Sequence, residues 1–494
     1  MLRIKLRKIT ELFAVLAILL LILGACSDDP GESENQGSEE QCPGPYTELC
    51  DDECISTHTT PDHCGSCGTT CGEGEACFSG QCVETCGAGL EMCGRHCVDL
   101  DSDPDHCRQC DNSCGDQEGC SLGECVESMA FERDDDHCVS GGPAILIEDP
   151  TRGDRCSGQL RRELFTFATC SCDRAVFEGT LDVDGFDSAV GPYEPELLDG
   201  PVGMNDHLDI EDHAFFDGSV TVAGRLDVED DLLITHDLSV GENLRVSGDA
   251  TVDGNAAIAD GISASALSVG GSLAVPAGTD LDDYSYGELL EEDVVVDPPC
   301  PCDSIPDIAA IVDARRDHND NAEIGIDAAI LNEHYDSIQH LALPCGHFFL
   351  NGSDVETDLT IIAHGRTAIY IDDVFTAGGD LRILPAPGAE LDLFIDGQII
   401  AEGTLTLGSP NYPAATRIYI DDQISLEGDV QLNGYLLGED HITLEGNLEV
   451  FGGLFAGNLL SAEGNTSVHY DHQVREATDP ELSNGICPDP DVDN

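Results

Sequence analysis

The sequence contains no tryptophan and no lysine beyond residue 8, its two lysines being Lys5 and Lys8. Basic residues number 20 against 98 acidic ones in 494 residues, for a formal charge of −78. Four of those 20 (Arg3, Lys5, Arg7, Lys8) and one acid (Glu11) precede Cys26, so 97 acids face 16 arginines in the remainder. A surface so poor in cations repels phosphate backbones and anionic headgroups, which excludes nucleic-acid binding and peripheral docking on a membrane. Aromatics are 5%, which excludes an aromatic-rich core, while 41% hydrophobic content allows a substantial core of small aliphatics. G-x-S-x-G, H-E-x-x-H and a phosphate-cradling glycine loop are all missing, so no catalytic constellation is legible and the expected class is non-enzymatic.

What the chain does have begins at its N-terminus. A basic stretch (Arg3, Lys5, Arg7, Lys8) precedes an apolar run from Leu12 to Leu23, too short for a bilayer span, and then Leu23-Gly24-Ala25-Cys26. These residues resemble the lipobox of bacterial lipoproteins. The resemblance implies cleavage after residue 25, lipidation of Cys26, and anchoring through the lipid to a membrane outside the cytoplasm. Ser27 in place of Asp implies the outer membrane or cell surface. Residues 27–41, SDDPGESENQGSEEQ, lack apolar side chains and predict a disordered acidic tether.

Cysteines follow in two copies of one spacing. Cys50, Cys54, Cys64, Cys67, Cys71, Cys77 and Cys82 recur 43 residues later as Cys93, Cys97, Cys107, Cys110, Cys114, Cys120 and Cys125, and each copy is preceded by one more, Cys42 or Cys86. In an exported chain, eight cysteines in about 40 residues predict disulfides that replace an inadequate apolar core, with the pairing left open. Zinc is the competing reading, because Cys64-x2-Cys67 and Cys107-x2-Cys110 follow His63 and His106. The segments CISTHTTPDHCGSCGTTC and CVDLDSDPDHCRQCDNSC resemble the repeats of myxobacterial-type surface lipoproteins, themselves similar to plant stigma-specific secreted proteins. That implies an extracellular interaction module. Asp99, Asp101, Asp103 and Asp105 are candidate Ca2+ ligands, although the run lacks the glycine and final glutamate of an EF-hand loop and also reads as a solvated acidic loop.

From residue 208 the period becomes six. Leu208, Ala214, Val220, Leu226, Leu232, Leu238, Leu244, Ala250, Ala256 and Ile262 form one apolar series, with a second series two residues later from Ile210 to Ala264. Two inward positions around one outward position make a short strand, and the Gly, Asp and Asn residues that follow make a turn. Ten repeats in register predict a β-solenoid, with three hexads to a coil of 18 residues. The period returns from Ile418 to Leu460, and residues 359–407 alternate with longer turns. Between the blocks, Ser304 to Arg316 predicts a helix. Cys138, Cys156, Cys170, Cys172, Cys300, Cys302, Cys345 and Cys487 are expected to staple the solenoid ends and this insertion.

PPCPCDSIPDIAAIVDARRDHNDNAEIGID, LPCGHFFL, GAELDLFIDG and LEGNLEVFGGLFAGNLLSAEGNTSVHYD resemble a C-terminal domain of unknown function found in bacterial surface proteins and PilX-type minor pilins, over residues 298–475. The hexads at 208–275 resemble bactofilins, which implies end-to-end assembly as an alternative function. His236, inside the repeats, invites comparison with β-helix acyltransferases, and a solenoid carbohydrate-active or acyl-transfer enzyme is a further alternative. His469-Tyr470-Asp471-His472 reads as a terminal cap or a metal cluster.

The expected fold is mainly β: a β-solenoid (β-helix) of right hand, preceded by two small disulfide-rich modules. Its parts are a signal peptide (1–25), lipidated cysteine and tether (26–41), cysteine-rich modules (42–85 and 86–127) and a connecting and capping segment (128–200). A hexad block (201–280), an insertion with a helix (281–345), a second solenoid block (346–475) and a tail (476–494) complete it. The expected function is structural or adhesive display outside the cell, with extracellular glycan, protein or a second copy as partner and no nucleic acid.

Overall fold

The computed structural model describes residues 47–474, apart from 51–52, 88–89, 116, 132, 134–136, 139–140, 191–192, 194–197, 282–283, 334–337, 356, 402, 411 and 428–429. The expected signal peptide, Cys26, the tether, Cys42, Cys487 and the tail lie outside the described residues, as does the side chain of Cys54.

Most hexads form a three-residue strand whose first and third side chains are buried and whose middle one points out, as in Leu208–Ile210 and Val220–Val222. Strands stack in parallel on the strand one coil away: Leu208 lies opposite Leu226, and Leu226 opposite Leu244. The 18-residue offset is the three-hexad coil read from the sequence. Turn side chains repeat with it, since Oδ1 of Asp231 accepts from the Asp249 amide at 2.8 Å and Oδ1 of Asp237 from the Asn255 amide at 2.6 Å. These side chains satisfy turn amides that the strand ladders leave unpaired.

In the C-terminal block the coils are wider. Leu359 lies opposite Leu381, Leu381 opposite Leu405, and Leu405 opposite Val430, before Val430 and Leu448 restore the offset of 18. The scarce aromatics fill this extra width: Tyr370, Phe394 and Tyr419 stack inside successive coils with centroids 5.2 and 4.7 Å apart. Such offset stacking adds to simple area burial.

The two blocks are one solenoid. Residues 169–186, expected as part of a connecting segment, form a complete coil of strands Thr169–Ser171, Ala175–Phe177 and Leu181–Phe186. On one side Ala175 pairs with Leu208, the start of the first block; on the other it pairs with Leu460, the end of the second. One face is therefore a continuous sheet of eleven strands, running from Ile262–Ser263 through Ala175–Phe177 to Ser353–Val355. The stack order differs from the chain order because the chain starts in the middle, builds outward to Ser285–Glu291, crosses back, and builds inward from His340. The connecting and capping segment expected over 128–200 is corrected at 169–186, where only the strands at Ala175/Phe177 and Leu181/Val183 carry apolar residues at both inward positions before the interruption at 187–201.

The crossing is stapled where it passes the middle coil, by Cys170–Cys300 and Cys172–Cys302. The helix α1 (Ser157–Leu164) buries Leu160 and Leu164 in the core. The expected helix in the insertion is α2 (Ile308–Arg315), whose first turn is capped by the Asp307 carboxylate accepting from the Ala310 amide at 3.0 Å. It packs Ile308, Ile311 and Val312 against the wider coils. At the outer end of that block, Cys138–Cys345 ties the preceding segment down, and strand Glu124–Ala130 of the second cysteine module pairs through Ser128–Ala130 with His340–Ala342.

Candidate functional site

The cysteine modules share one disulfide ladder. Cys50–Cys67, Cys64–Cys77 and Cys71–Cys82 in the first correspond to Cys93–Cys110, Cys107–Cys120 and Cys114–Cys125 in the second, which also contains Cys86–Cys97. Cys156 is disulfide-bonded as well. The zinc reading is thereby overturned, because the spaced cysteines bond to other cysteines. Nδ1 of His63 and of His106 instead accepts the amide five residues on, at Gly68 and Asp111, and so holds the same turn in both modules.

The second module docks on one outward row of the solenoid. Its Ser128 hydroxyl meets His340 Nδ1 at 2.8 Å, Ser121 meets the hydroxyl of Thr360 at 2.9 Å, and Arg382 pairs with Asp99 and with Asp101 at 3.5 Å. His340, Thr360 and Arg382 are register neighbours in three successive coils. The first module reaches the segment after the middle coil, where His58 Nε2 lies 2.7 Å from the Ser188 carbonyl. Burial holds both His58 and His340 far below the ordinary imidazole value, at about 4, so both docking histidines are neutral at pH 7.

The candidate Ca2+ ligands are not gathered around one point. Asp99 and Asp101 face Arg382; Asp99 also accepts from the Asp101 amide and the Ser102 hydroxyl, and Asp103 accepts from the Asp105 amide. Their alternate spacing serves turns and docking.

Between the second module and the solenoid lies a cleft of about 730 Å³. Its floor is a second outward row, Ala342, Ile362 and Leu384, two residues along each strand from the docking row and again in register. Outward positions in the first block are mostly Asp, Ser, Thr or Arg, as at Asp227, Ser239, Thr251 and Arg245, with Phe215 beside Leu233 as an aligned apolar pair, whereas the cleft floor aligns three aliphatics. Leu90 and Val98 of the module form the facing wall, and Asp103, Asp105 and Glu118 contribute carboxylates. At one end, bordered by Ser409, Pro410 and Tyr412, is Asn433, which is 1% exposed. Neither atom of its amide has a hydrogen-bonding partner among the described residues.

The motif His469-Tyr470-Asp471-His472 is spread along the join between the last coil and the middle one. His469 pairs with Asp184, the Tyr470 hydroxyl donates to the Phe165 carbonyl, Asp471 accepts from the amide and hydroxyl of Ser188, and His472 meets the Asp199 carbonyl. Four different partners leave these side chains locking a seam. Burial raises the Asp471 carboxyl to about 6. His236 is exposed and bonds to the neighbouring Thr235 hydroxyl.

One buried cluster carried no sequence signal. Arg417 and Asp392, 1% and 0% exposed, form a two-pronged ion pair at 2.9 and 2.8 Å. Ser157, at the start of α1, donates to the same Asp392 at 2.7 Å, and Glu390 lies 3.1 Å from Arg417. Its members come from three separate segments, so only tertiary structure assembles it.

Comparison with known proteins bears on the half of the stack that holds the cleft floor and the seam motif. No curated protein and no solved structure matches the chain. Residues 299–477, which comprise the return crossing, α2 and the whole second block, match the family model of a domain of unknown function, DUF7305.

Proposed function

We propose that the protein is a non-enzymatic cell-surface lipoprotein that displays a rigid solenoid and its docked modules outside the cell in a structural or adhesive role. The observation that carries this reading is the dense disulfide framework joined to one uninterrupted core. Disulfides persist in oxidising compartments, and a single stapled stack suits a chain that must keep its shape unaided outside the cell. The lipobox-like Cys26 supplies the anchor and residues 27–41 the spacer. The resemblance to myxobacterial-type surface lipoproteins and to domains accompanying PilX-type minor pilins points the same way. Bactofilin-like assembly is disfavoured at one end, because strand Glu124–Ala130 covers the coil at His340.

The test is labelled-palmitate incorporation together with proteinase K treatment of intact cells. Display predicts incorporation that the Cys26→Ser variant loses, and digestion under conditions that spare a periplasmic control. A chain that is unlipidated, or protected to the same degree as that control, contradicts the reading.

A further inference from the structure

We propose that the cleft between the second cysteine module and the solenoid binds a short extended peptide segment that carries aliphatic side chains and at least one basic residue. The floor supplies the first half of the argument. Ala342, Ile362 and Leu384 align an apolar strip of three coils along the solenoid axis, longer than the outward apolar pair Phe215 and Leu233. The strip and Asn433 span the coils that begin near residues 340, 359, 381, 405 and 430. At a strand spacing of about 4.8 Å this is a track of roughly 19 Å, the length of about six residues of extended chain.

Asn433 supplies the second half. A carboxamide offers two donors and an acceptor, and an unsatisfied buried amide carries a standing desolvation penalty. A peptide group presents the complementary N–H and C=O, so its arrival at the Asn433 end of the cleft relieves that penalty. The charge of the partner follows from Asp103, Asp105 and Glu118 beside the cleft and from a surrounding formal charge of −78. Arg382, the arginine on that lining, is already paired with Asp99 and Asp101. An acidic peptide is repelled and a basic one steered in.

The proposal concerns the folded chain and stands independently of lipidation, so it is tested on purified full-length protein. Fluorescence polarisation compares fluorescein-labelled hexapeptide amides built from Leu, Ala and Arg with matched panels in which Glu replaces Arg or Ser replaces Leu. The Leu/Arg panel is expected to contain saturable binders that both replacements weaken. Ile362→Ser and Asn433→Leu are each expected to weaken them about tenfold, and Leu233→Ser on another face to leave them unchanged. Absence of a saturable binder overturns the proposal. So does equal binding of the Glu panel, or binding indifferent to both cleft variants, which would mark diffuse charge attraction. Should Asn433→Leu fold poorly, a photo-leucine version of the best Leu/Arg peptide on the unaltered chain decides: crosslinks at 90–106 and 340–412 support the cleft, and crosslinks elsewhere contradict it.

Discussion

Nδ1 of His469 lies 2.6 Å from Oδ1 of Asp184, a residue 285 positions earlier, and the two face each other across paired parallel strands. The pair marks a seam in the middle of the solenoid, where the last coil of the chain meets its first. Around it the Thr180 amide donates to Asn465 Oδ1, Thr466 to the Thr180 carbonyl, and Leu460 to the Arg174 carbonyl. The protein thus has its chain-distant coils at its centre, and its sequence-continuous coils run to both ends.

Close backbone approach at the seam makes one glycine irreplaceable. A β-carbon on Gly179 would stand 2.6 Å from the Gly464 carbonyl oxygen, across the join. Gly179→Ala is expected to destabilise the protein by about 1–3 kcal/mol, as overpacking does in a tight core. The check is a chemical melt; an unchanged midpoint would show that the coils are farther apart there.

The buried pair beneath α1 should be intolerant of halving. Asp392→Ala leaves the Arg417 guanidinium buried without its main partner, and removing one member of such a pair costs about 3–5 kcal/mol. Ser157→Ala, which removes one neutral donor from Asp392, should cost about 1 kcal/mol. Equal effects in denaturant melts would mean that the charge is compensated elsewhere.

Acid should loosen module docking. His58 and His340 are depressed from the ordinary 6.5 to about 4, so their contribution is fully present above pH 6.5 and is lost as pH falls toward 4. Asp471, raised to about 6, acts in the opposite sense at the seam and gains from protonation over the same range. Hydrogen exchange at pH 7 and at pH 4.5, corrected for intrinsic rates, should show lost protection at the module contacts with the seam retained. Uniform loss, or none at the modules, would contradict this.

Carboxylates also line up as a ladder on successive coils of the second block, where Arg316 pairs with Asp372 at one end. Asp372 and Asp396 are register partners, and Asp421 and Glu439 follow in the next coils. Burial, and then Asp421, raises Glu439 to about 7, so the ladder weakens the fold as pH climbs from 4.5 through 7. Asp421→Asn should therefore stabilise the protein at pH 8 and flatten that dependence, and the melting temperature should rise with NaCl as charge is screened. Melts identical at low and molar salt, and an Asp421→Asn variant no more stable than the parent, would refute both.

Much of this architecture was legible in residues. The series at Leu208 and Ile210 marked the inward positions, the repeated cysteine spacing marked twin modules, and Pro306 with Asp307 marked α2. Periodicity is local, and a six-residue period says which side chains point inward without saying which coil stacks on which. That is why 169–186 passed for a connector and the two blocks for separate ones. The cleft floor was hidden for a related reason: Ala342, Ile362 and Leu384 sit about 20 residues apart in sequence and become a strip only through coil register. Asp99 and Asp101 suggested a metal cation, and the positive group that meets them is Arg382.

Site-resolved hydrogen exchange at the seam tests the central claim of one continuous stack most directly. The amides of Cys172, Glu178, Leu454, Leu460 and Thr466 donate to carbonyls across the join, whereas those of Leu226 and Leu238 donate between coils that are consecutive in the chain. A single solenoid predicts that the two groups exchange equally slowly, opening only with the global unfolding of the core. Fast exchange of the first group beside a protected second group would show two separate blocks and contradict the account.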